Sequence, residues 1–321
     1  MKLIGLLLLL LGLVSAVEGE VVTNFSSSCP DFFIKDQKNN AIAPTVLSPE
    51  SRYKQICQKY NGKRSSTKCS TNEQKCAREL FSHTDTDKSN KSTGYRYATL
   101  YDTDNKIPVY SAYLYTGYDS TERTTVWMIE PQLDGHSQEE MTREENAGGQ
   151  VGLKQAVNED LINAGYVPLY PRCLNCDQDQ AESTLTLTNA APLTDSDSKR
   201  WYDQVEKKIA QRMSDKCSER TAHVVSGVVP GPSCDWCDDF FSLHYFGYNL
   251  RARVASHFWS AFCCKDRYNQ NRLISEGYIL EMKGRGSAEA VNQTLNHLNR
   301  DLAKKYSSSN FQVFGSIQGC S

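Results

Sequence analysis

Twelve cysteines in a chain of 321 residues constrain the fold more than any other feature of this sequence. Their even number permits up to six disulfide bonds, although the connectivity does not follow from the sequence. Adjacent Cys263 and Cys264 are expected to bond to different partners, because a disulfide between neighbours needs unusual backbone geometry. The twelve are Cys29, Cys57, Cys69, Cys76, Cys173, Cys176, Cys217, Cys234, Cys237, Cys263, Cys264 and Cys320.

The N-terminal residues indicate an oxidising compartment for these cysteines. Lys2 is followed by an apolar run over residues 3–14 and then by small residues, which is the layout of a signal peptide. The predicted signal peptide spans residues 1–19, with cleavage near Ala16 or Gly19. A membrane-spanning helix needs about 20 apolar residues, and an acidic residue breaks this run. We therefore expect a secreted, extracellular protein without a membrane anchor.

Two Cys-x-x-Cys pairs allow a second interpretation of the cysteines. In a cytosolic protein, pairs with this spacing bind zinc or act in redox chemistry. In an exported chain we favour disulfides over a metal site. The pairs are Cys173 with Cys176 and Cys234 with Cys237.

Three Asn-x-Ser/Thr sequons agree with export. Each alone is weak support, because such tripeptides often arise by chance, but together with a signal peptide they predict a glycosylated surface. The acceptors are Asn24, Asn90 and Asn292.

The chain divides into two parts after the signal peptide. Residues 20–92 are rich in Ser, Thr, Asn and Lys and carry four cysteines, which predicts a cysteine-containing, loop-rich N-terminal region. Residues 93–321 carry the core pattern and are expected to form one domain. Whether the N-terminal region folds separately stays open at this point.

Aromatic and β-branched segments predict the strands of this domain. Residues 95–101 and 107–115 read as a β-hairpin joined by turn residues. Within the turn, Asp102-Thr-Asp104 resembles the start of a calcium loop, but the required Gly and terminal Glu are missing, so a turn is expected. Further strands are predicted over residues 124–129 and 185–187.

Two amphipathic helices are predicted from apolar residues at helical spacing. The first spans residues 199–217, and the second is a C-terminal helix over residues 287–306 that packs against the sheet. The apolar stripe of the first helix consists of Trp201, Val205, Ile209 and Met213.

Several sequence blocks occur in a consistent order over roughly residues 28–285. They are Leu100-Tyr-Asp-Thr-Asp-Asn-Lys-Ile-Pro-Val-Tyr-Ser-Ala-Tyr113, Gln155-Ala-Val-Asn-Glu-Asp160, Leu185-Thr-Leu-Thr-Asn-Ala-Ala-Pro192, Trp201 with Glu206, Val224-Val-Ser-Gly-Val-Val-Pro-Gly231, and Ser256-His-Phe-Trp-Ser-Ala-Phe-Cys-Cys264. In these blocks the chain resembles the DNA/RNA non-specific endonuclease family, and within it the endonuclease domain-containing 1 group. The resemblance implies an α+β fold of the ββα-metal type, in which helices flank an antiparallel sheet and one helix holds a divalent ion.

The resemblance also implies where a catalytic base would lie. The family supplies it as the His of an Asp-Arg-Gly-His motif that follows a Gly-Tyr pair. Here Gly165-Tyr166 is present, but two residues of the motif are missing and Pro168 falls at the position of the His. Proline cannot accept a proton, and its fixed φ reshapes the strand end. We therefore expect no intact catalytic residue.

The metal ligands implied by the family are altered as well. The family uses an Asn at the start of a helix and a Glu eight residues later; here Ser198 takes the Asn position and Glu206 survives. The hydroxyl of a Ser is a poorer Mg²⁺ ligand than an amide oxygen, although neighbouring Asp197 offers a hard carboxylate. We interpret Glu206 as a solvated charge on an exposed helix face. No cofactor is expected, apart from Mg²⁺ if residual nuclease activity exists.

Other residues offer no clear replacement for the lost base or for a phosphate groove. The six histidines, none next to Gly165-Tyr166, are His83, His136, His223, His244, His257 and His297, and each is expected to be structural. The arginines considered for a phosphate groove, Arg172, Arg200, Arg251 and Arg253, are interpreted as surface charge, since no basic and aromatic residues alternate along a nucleic-acid track.

The sequence therefore predicts a secreted, catalytically inactive protein on an endonuclease scaffold, with an extracellular protein or matrix partner. The alternative is an active, divalent-metal-dependent endonuclease with a rearranged site. A third possibility is nucleic-acid binding without catalysis, which a net charge of −2 does not favour, since such binding depends on Lys and Arg neutralising phosphates.

Overall fold

A computed structural model describes residues 20–45, 50–59, 95–115, 117, 126–138, 140–161, 165–174, 178–231, 252–282 and 289–320. The predicted signal peptide lies outside these residues, as does the sequon at Asn90. The same holds for Cys69, Cys76, Cys176, Cys234, Cys237, His83, His244, Arg251 and the side chain of Cys173. Among the described residues, no helix is long and apolar enough to span a bilayer.

An eight-stranded antiparallel sheet forms the centre of the protein, in the order β1-β2-β3-β4-β7-β8-β9-β10. Its strands are β1 Glu20–Val22, β2 Tyr53–Lys59, β3 Tyr95–Asp102, β4 Ile107–Tyr115, β7 Ala222–Pro230, β8 Ala255–Lys265, β9 Leu273–Glu281 and β10 Val291–Gln293. Strands β5, Gly165–Pro168, and β6, Ala190–Leu193, form a separate antiparallel pair. With helices on both faces, this architecture confirms the predicted α+β class.

The predicted hairpin is confirmed as β3 and β4, which pair from Ala98↔Ala112 to Asp102↔Ile107. The connection is a turn closed by Asp102, whose Oδ1 accepts the backbone N–H groups of Asp104 and Asn105, each at 3.0 Å. This carboxylate therefore serves the turn, as its sequence context predicts.

The described part of the N-terminal region is joined to the same sheet. Strand β2 pairs with β3 over its whole length, and β1 pairs with β2. A disulfide between Cys29 and Cys57 ties the short helix α1, Phe25–Ser28, to β2. The boundary after residue 92 thus does not separate two sheets, because hydrogen bonds cross it.

Two predicted strands are wrong. Of residues 124–129, the described ones make only isolated bridges, at Met128 and Ile129. Of residues 185–187, only Thr186 bridges to Met128, and a 3₁₀ turn, Leu187–Asn189, follows. The carbonyl of Leu185 accepts the N–H of Met128, and the N–H of Leu187 donates to the carbonyl of Met128, so the contact closes after one residue.

The first predicted helix is confirmed, with an irregular centre. Helix α3, Asp195–Trp201, continues through a π-helical segment, Tyr202–Glu206, into helix α4, Lys207–Lys216. The four residues of its apolar stripe are at most 1% exposed. A further short helix, α2, spans Gln178–Ser183.

The C-terminal helix, α5, spans Leu295–Lys305 and begins later than predicted. Residues 291–293 form β10 instead, because the edge of β9 leaves backbone groups to pair, with Asn292 opposite Tyr278. Thr294 then becomes the N-cap residue of α5.

Each face of the sheet carries its own apolar core, because alternate residues of a strand point to opposite faces. On β7, Val224 and Val228 lie in one core with Trp201, and we call this side the α4 face. Val225 and Val229 lie in the other core with Leu298, which we call the α5 face.

Two disulfides start from the end of strand β8, and they confirm the prediction that the adjacent cysteines bond to different partners. Cys263 bonds to Cys320 and Cys264 bonds to Cys217. Because neighbouring residues of β8 point to opposite faces, one bond fixes the C-terminus on the α5 face and the other fixes the end of α4 on the α4 face.

Candidate active site

The site lies where β5 and β6 pair and lead into helix α3, a ββα unit on the α4 face. The strands pair antiparallel from Gly165↔Leu193 to Pro168↔Ala190. Thr194 then caps α3, because its side chain accepts the N–H of Asp197. This strand pair and helix form the ββα arrangement that the family resemblance implies.

Pro168 occupies the end of β5, opposite Ala190. The next residue continues the contact, since the N–H of Leu169 donates to the carbonyl of Asn189 at 2.7 Å. A proline suits a short strand of this kind, where its missing N–H is not needed by a central ladder. The position expected for a catalytic imidazole therefore carries a half-buried ring without a titratable group.

The chain beyond Pro168 enters a packed aromatic cluster. The ring of Tyr170 stacks on Tyr113 with centroids 3.9 Å apart and an interplanar angle of 12°. It also meets Tyr97 edge-on, with centroids 5.3 Å apart. All three rings are at most 1% exposed, so the strand end leads into core rather than into solvent.

Asn189 holds this segment in place through hydrogen bonds of its buried side chain. This role was not predicted from the sequence. Its Oδ1 accepts the hydroxyl of Ser111 at 2.7 Å and the N–H of Tyr170 at 3.1 Å. Its Nδ2 donates to the carbonyl of Thr184 at 2.9 Å. A fully buried amide with this many partners has a structural role, and the Asn-Ala-Ala-Pro block is the signal that marks it.

Gln155, which opens another matched block, has a similar role. Its Nε2 donates to the carbonyl of Glu130 at 2.6 Å and to Asp134 at 2.9 Å, and its Oε1 accepts the N–H of Glu130 at 2.8 Å. At the end of the block, Asp160 accepts the N–H of Val157 at 2.9 Å. These polar side chains hold neighbouring loop segments together.

The carboxylate of Asp197 is engaged within its own helix. One oxygen accepts the hydroxyl of Thr194 at 3.0 Å, and the other is paired with Arg200. Burial raises the pKa of Asp197, while the hydrogen bond from Thr194 and the charge of Arg200 oppose the rise. Neighbouring Ser198 is half-buried, and its N–H donates to the carbonyl of Thr194.

Glu206 is buried, which corrects the expectation of a solvated charge. The side chain is 9% exposed, and one oxygen accepts the indole N–H of Trp201 at 2.8 Å. In a regular α-helix, residues five apart lie about 140° apart around the axis. The π-helical turn between Trp201 and Glu206 removes that offset, because it aligns residues at a spacing of five.

Burial raises the pKa of Glu206 to about 7, and the hydrogen bond from Trp201 opposes the rise. A carboxyl group with this pKa is substantially protonated at neutral pH, whereas a hard cation requires an ionised oxygen ligand. Together with the occupied oxygens of Asp197, this donor set fits Mg²⁺ poorly. Among the residues described, no cluster of three or more His, Cys, Asp or Glu side chains forms.

Three of the four described histidines lie on the α5 side of the sheet, away from Glu206. On β7, His223 alternates with the α4-face residues, and its Nδ1 is 3.3 Å from the carbonyl of Phe32. The Nε2 of His257 is 2.9 Å from Nζ of Lys305 on α5, and His297 lies on α5 itself. These contacts agree with the expectation of structural roles.

The fourth described histidine and the arginines have local partners. Nε2 of His136 is 2.8 Å from the carbonyl of Gln150. Arg200 is paired with Asp197. Arg253 donates to the carbonyl of Gly231 at 3.2 Å, and Arg172 lies half-buried in a 3₁₀ turn. These residues do not converge on one described groove.

Comparisons with known proteins find sequence relatives over part of the chain. No protein-family model matches the chain. The chain is 33% identical over 179 residues to the endonuclease domain-containing 1 protein of Homo sapiens, a match that covers 53% of this chain and 32% of that protein. It is 36% identical over 143 residues to the same-named protein of Mus musculus, covering 42% of this chain and 28% of the relative.

A solved structure of the EndoG/EndoGI complex is similar over 69% of this chain and 84% of the other, with a TM-score of 0.45 and 13% identity. The chain is thus similar in sequence to endonuclease domain-containing proteins over part of its length. Its similarity is specifically to the endonuclease domain-containing 1 proteins, of whose length the matched segments span about a third.

Proposed function

We propose that this chain is a secreted protein on an endonuclease scaffold that does not hydrolyse nucleic acids and instead binds an extracellular protein or matrix partner. The observation that carries the proposal is Pro168, which pairs with Ala190 where a base is required. Directly after it, Tyr170 packs against Tyr113 and Tyr97. A base two residues further along the chain would have to enter that cluster.

The chemistry explains why this position decides the matter. Hydrolysis of a phosphodiester needs a general base to deprotonate water and a cation to stabilise the charge on the phosphate. Here the base position is a proline, Asp197 is held by Arg200 and Thr194, and Glu206 is buried against Trp201. Removing a general base alone typically lowers a rate by roughly 10²–10⁴-fold.

Secretion is supported by the disulfides and by the surface sequons. Three disulfides join described cysteines, and disulfides are stable in oxidising compartments. The sequon residues Asn24 and Asn292 are both exposed. A tagged chain expressed in animal cells is expected in the medium with its N-terminus at or before residue 20. Retention of the full-length chain inside the cells contradicts the proposal.

One observation favours the alternative of a rearranged, metal-dependent endonuclease. The pKa of Glu206, raised to about 7 by burial, is near the value that suits a general base at neutral pH. In that mechanism Glu206 would act with the carboxylate of Asp197. The same experiment tests both functions.

Purified protein is incubated with plasmid DNA and with RNA in Mg²⁺, Mn²⁺ or EDTA. We expect no cutting above the rate of a Glu206→Ala or Glu206→Gln variant. Metal-dependent cutting that these variants abolish would refute the non-catalytic function and establish the alternative. Binding without cutting that weakens steeply with salt would identify a nucleic-acid binder instead.

The partner class is tested on the matrix that cultured cells deposit. We expect the tagged protein to be retained on matrix after the cells are removed and to be released by denaturant. Full recovery in the medium and in a saline wash contradicts a matrix partner.

A further inference from the structure

The π-helical segment, helix α4 and the β9–β10 edge of the main sheet line an open cleft of about 490 Å³. Proteins hold small ligands in cavities of roughly 300–1,000 Å³. The walls carry amide and charged side chains suited to hydroxyl and acetamido groups. They include Gln204, Lys208, Gln211 and Arg212 from the helical side and Tyr278 and Asn292 from the sheet.

Asn292 places a glycosylation sequon at the base of this cleft. Its Nδ2 donates to the hydroxyl of Tyr278 at 3.0 Å and to Glu276 at 3.3 Å. The Glu276 carboxylate is also bonded to Tyr278 and paired with Arg212. The nitrogen atom that would carry a glycan therefore faces the cleft.

Asn24 presents the opposite geometry. Its Oδ1 accepts the N–H of Ser26 at 2.8 Å and so caps helix α1. The side chain is exposed, and its Nδ2 makes no hydrogen bond to another described residue. Asn24 also lines an open cleft, of about 590 Å³, but within the described residues no hydrogen bond holds its Nδ2 against a wall of that cleft.

We propose that the Asn292 glycan is seated in this cleft, with its first N-acetylglucosamine residues between α4 and β10, whereas the Asn24 glycan is not anchored to a cleft wall. The inference rests on the proposed secretion. In the transfer, Nδ2 bonds to the sugar C1 of a lipid-diphosphate-linked oligosaccharide. The lipid diphosphate departs, and a proton leaves Nδ2. The remaining N–H keeps the shorter bond, to Tyr278, and the sugar replaces the bond to Glu276.

The Asn24 site serves as an internal reference in the first test. Secreted full-length protein is treated with peptide-N-glycosidase in ¹⁸O-water, native or denatured, and the Asn-to-Asp conversion at each sequon is followed by peptide mass spectrometry. We expect Asn24 to convert at least about 10-fold faster than Asn292 in native protein and both to convert alike after denaturation. Equal native rates, or an unmodified Asn292, overturn the inference.

A protein that stays inside the cells would contradict the proposed function. Mass spectrometry of that retained chain would still show whether Asn292 carries a glycan.

A second test removes the sequon without touching Asn292. Thr294→Ala deletes the sequon and Thr294→Ser preserves it, and the same two variants produced without N-glycans correct for the preference of a helix N-cap for serine over alanine. We expect the melting temperature of Thr294→Ala to be about 3 °C lower. Equal melting temperatures of the two variants, with a glycan present on Asn292 of the Thr294→Ser variant, contradict the seated glycan.

Discussion

Replacing Glu206 with glutamine is expected to stabilise the protein above neutral pH. The glutamine side chain has nearly the same shape and keeps an oxygen to accept the indole N–H of Trp201, a bond of 2.8 Å in the native protein. The substitution removes only the ionisation of a buried carboxyl group, which lies at the end of the π-helical segment between α3 and α4. The change therefore isolates the free energy of burying that charge.

The magnitude follows from the pKa of Glu206, which burial raises from 4.5 to about 7. At about 1.4 kcal/mol for each pH unit, this difference corresponds to about 3 kcal/mol. Because the folded protein binds the proton more tightly than the unfolded chain, wild-type stability is greatest below pH 4.5. It falls as the pH rises to about 7 and then levels off. The glutamine variant does not titrate, so its advantage grows by up to about 3 kcal/mol over that interval.

Urea unfolding at several pH values between 4.5 and 8, followed by tryptophan fluorescence, measures the difference in unfolding free energy between the variant and the wild type. The other titrating groups are the same in both proteins, so their contributions to this difference cancel. The matched control is Glu289→Gln, the same substitution at an exposed position, for which a flat difference is expected. A flat profile for Glu206→Gln would refute the burial argument. Destabilisation at about pH 8, deepened by Mg²⁺, would show that the native site holds an ionised Glu206 and would favour the active endonuclease.

Three further substitutions test the packing, with urea unfolding as the measurement. Asn189→Ala is expected to destabilise by about 3–5 kcal/mol, because it leaves buried polar partners unsatisfied, and a loss below about 1 kcal/mol would contradict its role. Gly227→Ala is expected to cost at least about 2 kcal/mol, since a Cβ would lie 2.4 Å from the carbonyl of Val109; a neutral result would show that the strands separate easily. The double change Cys263→Ser and Cys320→Ser opens a loop of 57 residues and should cost about 4 kcal/mol, whereas unchanged stability would mean that α5 alone fixes the C-terminus.

The regular spacing of apolar residues made the helix around Trp201 predictable, but not the burial of Glu206 within it. The stripe at a spacing of four gave the correct buried face. Glu206 was interpreted as a solvated charge because a glutamate is seldom buried without a partner, and nothing in the residues themselves marks the π-helical turn at Tyr202–Glu206. The carboxyl group of Glu206 is buried where it accepts the indole N–H of Trp201, a contact across the π-helical turn.

Polar residues were harder to assign because their partners are remote in sequence. Asn189 depends on Ser111, a contact 78 residues away, and Gln155 depends on Glu130, 25 residues away. The short strand β10 likewise exists through pairing with β9, although its sequence continues an apolar pattern suited to a helix. Hairpins and helices follow from local sequence, whereas these contacts follow only from the assembled sheet.

The matched sequence blocks and the altered site are explained by the same geometry. Asn189 and Gln155 lie in blocks that resemble those of an endonuclease family. Asn189 holds the backbone of Tyr170 next to Ser111 of β4, and Gln155 holds the backbone of Glu130. Such residues must be kept for the chain to fold, whatever the protein does. Within the described part of the chain, the side chains of Pro168 and Ser198 hold no backbone segment in that way. Folding therefore does not determine which residues stand at these two positions. The hydrogen bonds of Asn189 and Gln155 therefore bear on folding, whereas the proposed loss of catalysis depends on Pro168, Ser198, Asp197 and Glu206.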